Sequence, residues 1–375
     1  MPHSAFDPKR TTVFPLSERK NMLFLDDSIP KPPLEGADWT PPSHWNDATL
    51  ASLDRLEARI RKARRNGSSV MLAYGAHLVK NRLGCVVRGL IEDGWITHIA
   101  TQGAGVIHDW EFAYQGSTGE SVRENAPAGR FGSWDETGRW INLAVLAGAA
   151  EGLGFGESIG RMIVRNEVVL PALDELHDQI IEDPSDSLTA ARADLLNAML
   201  ESCVPSGRHS VEHPHREISI LAAAYESGIP ATVHPGIGYD IIVNHPMYHG
   251  GAIGRAALTD ARIYASSVER LDDGVYMSVG SAIMSPQVFE KAFSLVNNAR
   301  VNEERDPLTS HYLAIVDLQS GGGWDWTQGE PPSDHPAYYL RFCKSFYRMG
   351  GTLDYFSCDN HDFLLALALR LKQSS

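Results

Sequence analysis

Cysteine is scarce. The chain has 375 residues and four cysteines, Cys85, Cys203, Cys343 and Cys358. None forms a CxxC pair, which excludes a disulfide scaffold and a thiolate zinc site and suits a reducing cytoplasm. Long apolar runs are lacking too. The longest, about Ile141–Ala150, falls far short of the ~20 residues a membrane span needs. The N-terminal MPHSAFDPKRTTVF has no apolar stretch of the signal-peptide kind. Positive charge is in deficit, with a net −14, so no nucleic-acid partner is expected, whereas a cationic small substrate is compatible. What remains is ordinary globular composition, 43% apolar and 21% charged, with 33 glycines and 21 prolines. The length suits one large or two medium domains with a sizeable core.

Residues 1–45 are rich in proline and polar residues and show no lasting periodicity. They read as an irregular N-terminal arm lying against the body or a partner subunit. Residues 46–375 read as an α/β domain. Asn46–Asn66 is expected to be a helix, capped by Asp47 and stopped by Gly67. Short apolar strands then alternate with helices: Val70–Tyr74, Ile96–Thr101, Pro230–Val233, Val275–Val279, Leu313–Val316 and Leu353–Ser357. A helix is expected over Leu78–Asp93, a helical insertion over about 139–202, and a polar loop over Val204–Pro214. This alternation implies a doubly wound, mostly parallel sheet of about six strands with helices on both faces.

In such sheets ligands bind at the carboxyl ends of the strands. The segments following the strands are rich in glycine and ionisable residues. They include Gly75-Ala76-His77, Gln102-Gly103-Ala104 running on to His108-Asp109, and His234 running on to Asp240. Gly280-Ser281, Leu318-Gln319 and Asp359 with His361 and Asp362 follow the later strands. Glycine lets backbone amides approach a ligand, and helix N-termini favour phosphate. The same glycines also serve simple strand-to-helix turns. Histidine moves protons near neutral pH, so His77, His108, His234, His245, His249 and His361 are candidates for acid–base work, for metal binding, or for structural hydrogen bonding. No HExxH, GxSxG or strand-borne GxGxxG occurs. Ser281 reads as a helix cap or a phosphate contact, and Cys358 as a buried thiol or a nucleophile.

At this point a family resemblance is carried by LAYGAHLVKNRLGCVVRGLIEDGWITHIATQGAGVIHDWEFAYQG (Leu72–Gly116), IPATVHPGIGYDIIV (Ile229–Val243) and GVYMSVGSAIMSPQVFEKA (Gly274–Ala292). YLAIVDLQSGGGWDW (Tyr312–Trp326) and LDYFSCDNHDFLLALAL (Leu353–Leu369) continue it in collinear order. These segments resemble the deoxyhypusine synthase-like family, in the style of its bacterial members. The resemblance implies a Rossmann-like, NAD-binding sheet, a homotetramer with active sites at subunit interfaces, and transfer of an aminobutyl group from spermidine through an enzyme lysine. It places Gly75, Ala76, His77, Gln102, Gly103, Ala104, Gly280, Ser281, Leu318, Gln319 and Asp359 at cofactor-contacting positions. His108 and Asp109 fall where the family has an acidic pair, and Asp240 on an aspartate of the third loop. The imine-forming lysine is replaced here by Met284, which has no amine, and Lys291 lies farther along the next helix. Trp324 and Trp326 either cover a ligand or pack at an interface.

The expectation is therefore an NAD-dependent transferase or oxidoreductase acting on a small amine- or hydroxyl-bearing substrate by transient oxidation, with no metal. His108 and His234 are the acid–base candidates, Asp109 and Asp240 their orienting or cation-binding partners, and His361 a third. Alternatives are a metal-assisted lyase or hydrolase, a polyamine aminobutyltransferase, and a catalytically silent nucleotide-binding subunit.

Overall fold

Val70–Tyr74 and Val275–Val279 are buried along their whole length. Strands with no polar face need cover on both sides. The computed structural model, which describes residues 3–25, 40–43 and 45–373, places them side by side in one parallel sheet. Its six strands are β1 (Val70–Tyr74), β2 (His98–Thr101), β3 (Ala231–Val233), β4 (Val275–Val279), β5 (Tyr312–Asp317) and β6 (Thr352–Ser357). Their spatial order is β6-β5-β4-β1-β2-β3. The chain builds outward from β1 in one direction, crosses back, and builds outward from β4 in the other. That Rossmann-like order opens a crevice at the carboxyl ends of β1 and β4.

Successive strand residues point to opposite faces, so β1 serves two cores. Val70, Leu72 and Tyr74 join one hydrophobic cluster, and Met71 and Ala73 join the other. The first cluster is completed by α1 (Asp47–Asn66), α3 (Gly84–Glu92) and the last helix, among others. Asn46, rather than Asp47, caps α1 by accepting from Thr49 N at 2.9 Å.

The helix expected over Leu78–Asp93 is broken into α2 (Ala76–Lys80) and α3. Arg82 at the break has φ +61° and donates Nε to the Phe24 carbonyl at 2.6 Å. The break leaves Asn81 at the edge of the crevice. After β2 comes α4 (Gly103–Gln115). A short helix at Val122–Asn125 and the longer α5 (Asp135–Ala150), α6 (Phe155–Arg165), α7 (Leu173–Glu182) and α8 (Thr189–Glu201) follow. The segment expected as a polar loop contains the strand Gly207–Ser210, paired antiparallel with Glu167–Leu170. Its residues Gly-Arg-His-Ser carry no apolar alternation, which is why it read as a loop. α9 (Ile220–Glu226) leads into β3. The remaining long helices are α10 (Gly250–Glu269), α11 (Met284–Asn302) and α12 (Asn360–Gln373).

Part of the described N-terminal arm packs on the body. Leu16 and Arg19 are buried, and Leu23–Phe24 pairs antiparallel with Ser117–Thr118. Residues 26–39 of the arm lie outside the described residues.

Candidate functional site

Glycine is required where β1 and β4 end. The Gly75 amide donates to Val279 O at 3.1 Å, and a Cβ on Gly75 would stand 2.0 Å from the Gly280 carbonyl oxygen. Gly280 has φ +60°, a left-handed conformation that favours glycine. Apart from its chain neighbours, among the described residues only Asn360, at the start of α12, lies within 4 Å of where its Cβ would be. Asn360 Oδ1 accepts from Asn81 Nδ2 at 2.6 Å, so the first and last βα units meet over the crevice. Asp359 Oδ1 accepts from His361 N at 2.7 Å. Ser281 is buried, with its hydroxyl accepting from Ser285 N at 3.3 Å at the start of α11.

The next loops have their own polar order. Gln102 caps α4, its Oε1 accepting from Ala104 N at 2.6 Å. Asp240 reaches the same helix end. Its carboxylate accepts from Gly236 N at 2.8 Å and from the Gly103 amide. A carboxylate there meets the positive end of the helix dipole. Burial raises the Asp240 pKa, and the two amides oppose that shift.

His234 lies at the end of β3, its amide bonded to Thr101 O at 2.9 Å. Its Nε2 lies 3.2 Å from Thr232 Oγ1, which lies 2.9 Å from His98 Nε2; His98 Nδ1 in turn lies 2.9 Å from Ser267 Oγ. Tyr264 packs edge-on against both rings. Burial, with help from His234 and Arg270, lowers the His98 pKa to about 3, and burial lowers that of His234 to about 4. Both rings are neutral at pH 7.

His108 and Asp109, neighbours in sequence, part company in space, as successive helix residues do. Asp109 is fully buried and caps α9, accepting from Ser219 Oγ at 2.5 Å, Ile220 N at 2.8 Å and Leu221 N at 3.3 Å. Burial raises its pKa to about 6 against those three bonds. It neither orients His108 nor reaches the crevice.

His108 Nδ1 instead lies 2.7 Å from Thr118 Oγ1. The Thr118 hydroxyl bonds Glu111 Oε2. Glu111 is fully buried, accepts from Thr137 Oγ1 at 2.8 Å, and forms a two-pronged pair with Arg19 at 2.7 and 2.7 Å. Burial would push Glu111 up, but the Arg19 charge and hydrogen bonds, with Thr118, outweigh it and leave the carboxyl below its usual range. The His108 pKa is lowered to about 4, first by burial and further by Lys80, Arg19 and His77, against the pull of Glu111. Among the described residues His108 Nε2 has no hydrogen-bond partner, and it is not one of the fully buried unpartnered atoms.

The sequence reading missed Glu111, Thr118 and Arg19. Glu111 stands three residues after His108 on α4, a spacing that puts both on one face. No local signal points to Arg19 or Thr118.

The rim is open. His77 and Leu318 are exposed, and His361 is half-buried, 3.7 Å from Asp362. The Gln319 carbonyl accepts from Tyr355 and Ser357, and its amide donates to Asp317. Ile237, Tyr239, Ile283 and Tyr339 add exposed apolar surface after β3, β4 and β5. His245 lies elsewhere, lining a cavity of about 610 Å³ with Arg139, Trp140 and His209. Among the described residues, no group of three or more His, Cys, Asp or Glu side chains could hold a metal ion. No described helix is long and apolar enough to cross a membrane. Trp324 packs on His335 and donates to the Gly329 carbonyl, while Trp326 is buried in the second core cluster.

No family model matches the sequence, and no curated protein matches it. Solved structures do. The chain is similar in fold to a deoxyhypusine synthase. That structure, a candidate deoxyhypusine synthase from Entamoeba histolytica, is 9% identical with a TM-score of 0.41, the match covering 88% of this chain and 90% of the other. The cyanobacterial arginine dihydrolase ArgZ is 12% identical with a TM-score of 0.42, over 87% of this chain and 33% of its own. AgrE, solved with ornithine and NAD+, is 13% identical with a TM-score of 0.40, over 88% and 34%. The chain thus spans about a third of the length of ArgZ and AgrE. The likeness is one of fold.

Proposed function

We propose that the chain is an NAD-dependent enzyme that acts on a small amine- or hydroxyl-bearing substrate by transient oxidation. The observation that carries this reading is the crevice at the strand-order reversal. It is floored by Gly75 and Gly280, crossed by Asn360, and flanked by a neutral His108 whose Nε2 has no partner among the described residues. The donors there suit a dinucleotide. Among the described residues no side chain caps α2, which leaves the amides of its first turn without a side-chain partner there. Lys80 is half-buried and has no carboxylate within ion-pair distance among the described residues. Gln102 uses its oxygen on Ala104 and keeps its amide nitrogen for a ligand. Gly75, Ala76, His77, Gln102, Gly280, Leu318, Gln319 and Asp359 would surround the group.

The chemistry that bound NAD would supply there is a hydride acceptor for a carbon bearing an amine or alcohol. The protein's share is positioning and proton handling. His108 Nε2 would accept the proton that leaves the substrate nitrogen or oxygen. His234, hydrogen-bonded through Thr232, would line the far side. Asp240 would hold the loop that carries it, and His361 would contact substrate from the rim. Lysine-imine transfer is disfavoured: Met284 occupies the expected position, and Lys291 is exposed and paired with Glu290. The apolar rim of Ile237, Tyr239, Ile283 and Leu318 supports a homo-oligomer built around the crevice mouth.

The test is denaturing release of small molecules from the purified protein, read by mass spectrometry, with calorimetric titration of NAD and elemental analysis for metals. NAD at near one per chain, or calorimetric binding lost in Gly280→Val, is the expected result. Stoichiometric zinc or iron with no dinucleotide binding overturns the proposal.

A further inference from the structure

The hydrogen-bond chain behind His108 has a direction, fixed by proton counting. A threonine hydroxyl has one proton to give and two lone pairs. Among the described residues the Thr118 hydroxyl has two hydrogen-bond partners, Glu111 Oε2 and His108 Nδ1. Glu111 is held ionised by Arg19 on both oxygens and by Thr137 on Oε1, so it only accepts. The Thr118 proton therefore goes to Glu111. The Thr118 oxygen is left as an acceptor, and His108 Nδ1 must supply the proton between them. A neutral imidazole carries a single N–H, so Nε2 is left bare.

We infer that Glu111 and Thr118 are positioning residues that lock His108 in its Nδ1–H form and keep Nε2 a proton acceptor. This deepens the proposed function and rests on it only for what Nε2 accepts from. The tautomer of a histidine is set by the partner of its other nitrogen. Here that partner is a hydroxyl, polarised by a buried carboxylate. When Nε2 takes a proton from a substrate N–H or O–H, the ring becomes cationic with both nitrogens protonated, and the substrate keeps the electron pair. Glu111 then faces that cation through one intervening hydroxyl, as a carboxylate steadies an imidazolium in other acid–base sites. The anchor comes from far away in sequence, because Arg19 belongs to the N-terminal arm.

The test is long-range proton–nitrogen NMR on the 15N-labelled full-length chain without substrate. The His108 signals are assigned by their loss in His108→Gln. The wild type and Thr118→Ser are expected to show a protonated Nδ1 and an unprotonated Nε2. Thr118→Val removes the acceptor, and the Nδ1–H to Nε2–H ratio should fall about tenfold, the worth of one hydrogen bond. A wild-type Nε2–H signal overturns the inference, as does a folded Thr118→Val protein with an unchanged ratio. If Thr118→Val fails to fold, the wild-type spectrum alone decides. NAD release does not enter this measurement, so the locked tautomer and the cofactor reading stand or fall separately.

Discussion

Replacing Arg19 by Met removes the only cation bonded to Glu111 among the described residues. The Arg19 and Glu111 side chains are 3% and 0% exposed, so the orphaned carboxylate cannot turn to water. Breaking one partner of such a pair costs about 3–5 kcal/mol, because an uncompensated charge stays buried. The Arg19 guanidinium also lies over the Trp134 ring at 5.7 Å, a contact the methionine replaces with packing alone. The sign of the pH dependence follows. In the wild type the folded Glu111 pKa is depressed, so its contribution is full above the unfolded value near 4.5 and fades as pH falls through the folded value. In Arg19→Met, burial is no longer opposed by a cation, and the folded pKa rises above the unfolded one. That group then destabilises the fold increasingly as pH rises. Urea denaturation at pH 5 and pH 8 measures both effects. The variant should lose about 3–5 kcal/mol at pH 8, with a smaller loss at pH 5. A loss under about 1 kcal/mol, the size of an exposed pair, or an equal loss at both pH values, refutes the reasoning.

Asp109→Ala removes a helix cap and should cost about 1–3 kcal/mol by leaving buried donors unpaired. NAD affinity in calorimetry should stay within about twofold, and selective loss of binding with full stability would count against its structural place. Gly75→Ala drives a Cβ into the Gly280 carbonyl and should separate β1 from β4 at the crevice, costing at least about 1–3 kcal/mol. Urea denaturation with amide exchange at Gly280 and Ser281 reads both effects, and an unperturbed protein would contradict the close approach. Acid should weaken the fold between pH 6.5 and 4. His98 at about 3 and His108, His213, His234, His245 and His311 at about 4 stay neutral when folded but gain protons when unfolded. Asp109 at about 6 and Asp260 at about 7 act in the opposite sense but are fewer. A melting temperature that is level from pH 7 to 5 would argue against buried neutral histidines.

The strands were legible because uniformly apolar runs such as Val275–Val279 end at glycines or polar turns. Strand ends in turn located the crevice. Legibility failed where structure depends on distant partners. Asp109 read as an orienting or cation-binding partner of the acid–base histidines, yet it caps α9 while His108 faces Thr118. The helix over Leu78–Asp93 had helical periodicity, but the left-handed Arg82 and the Asn81–Asn360 contact break it. Arg19 sits in a segment without periodicity, and only its burial against Glu111 reveals its place. Gly207–Ser210 is a strand by virtue of its partner, not its composition.

The strand order also sets a timetable. β1 leaves the ribosome before β2 and can pair with it as soon as β2 follows. Its other neighbour, β4, follows about 200 residues later, since Val70 pairs with Val275. Until then one edge of the most apolar strand stays bare, and pairing across such a separation is slow. The crevice waits longer still, because Asn360 arrives only with α12. A growing chain therefore carries Gly75 well before the surface that Gly75 helps to form exists.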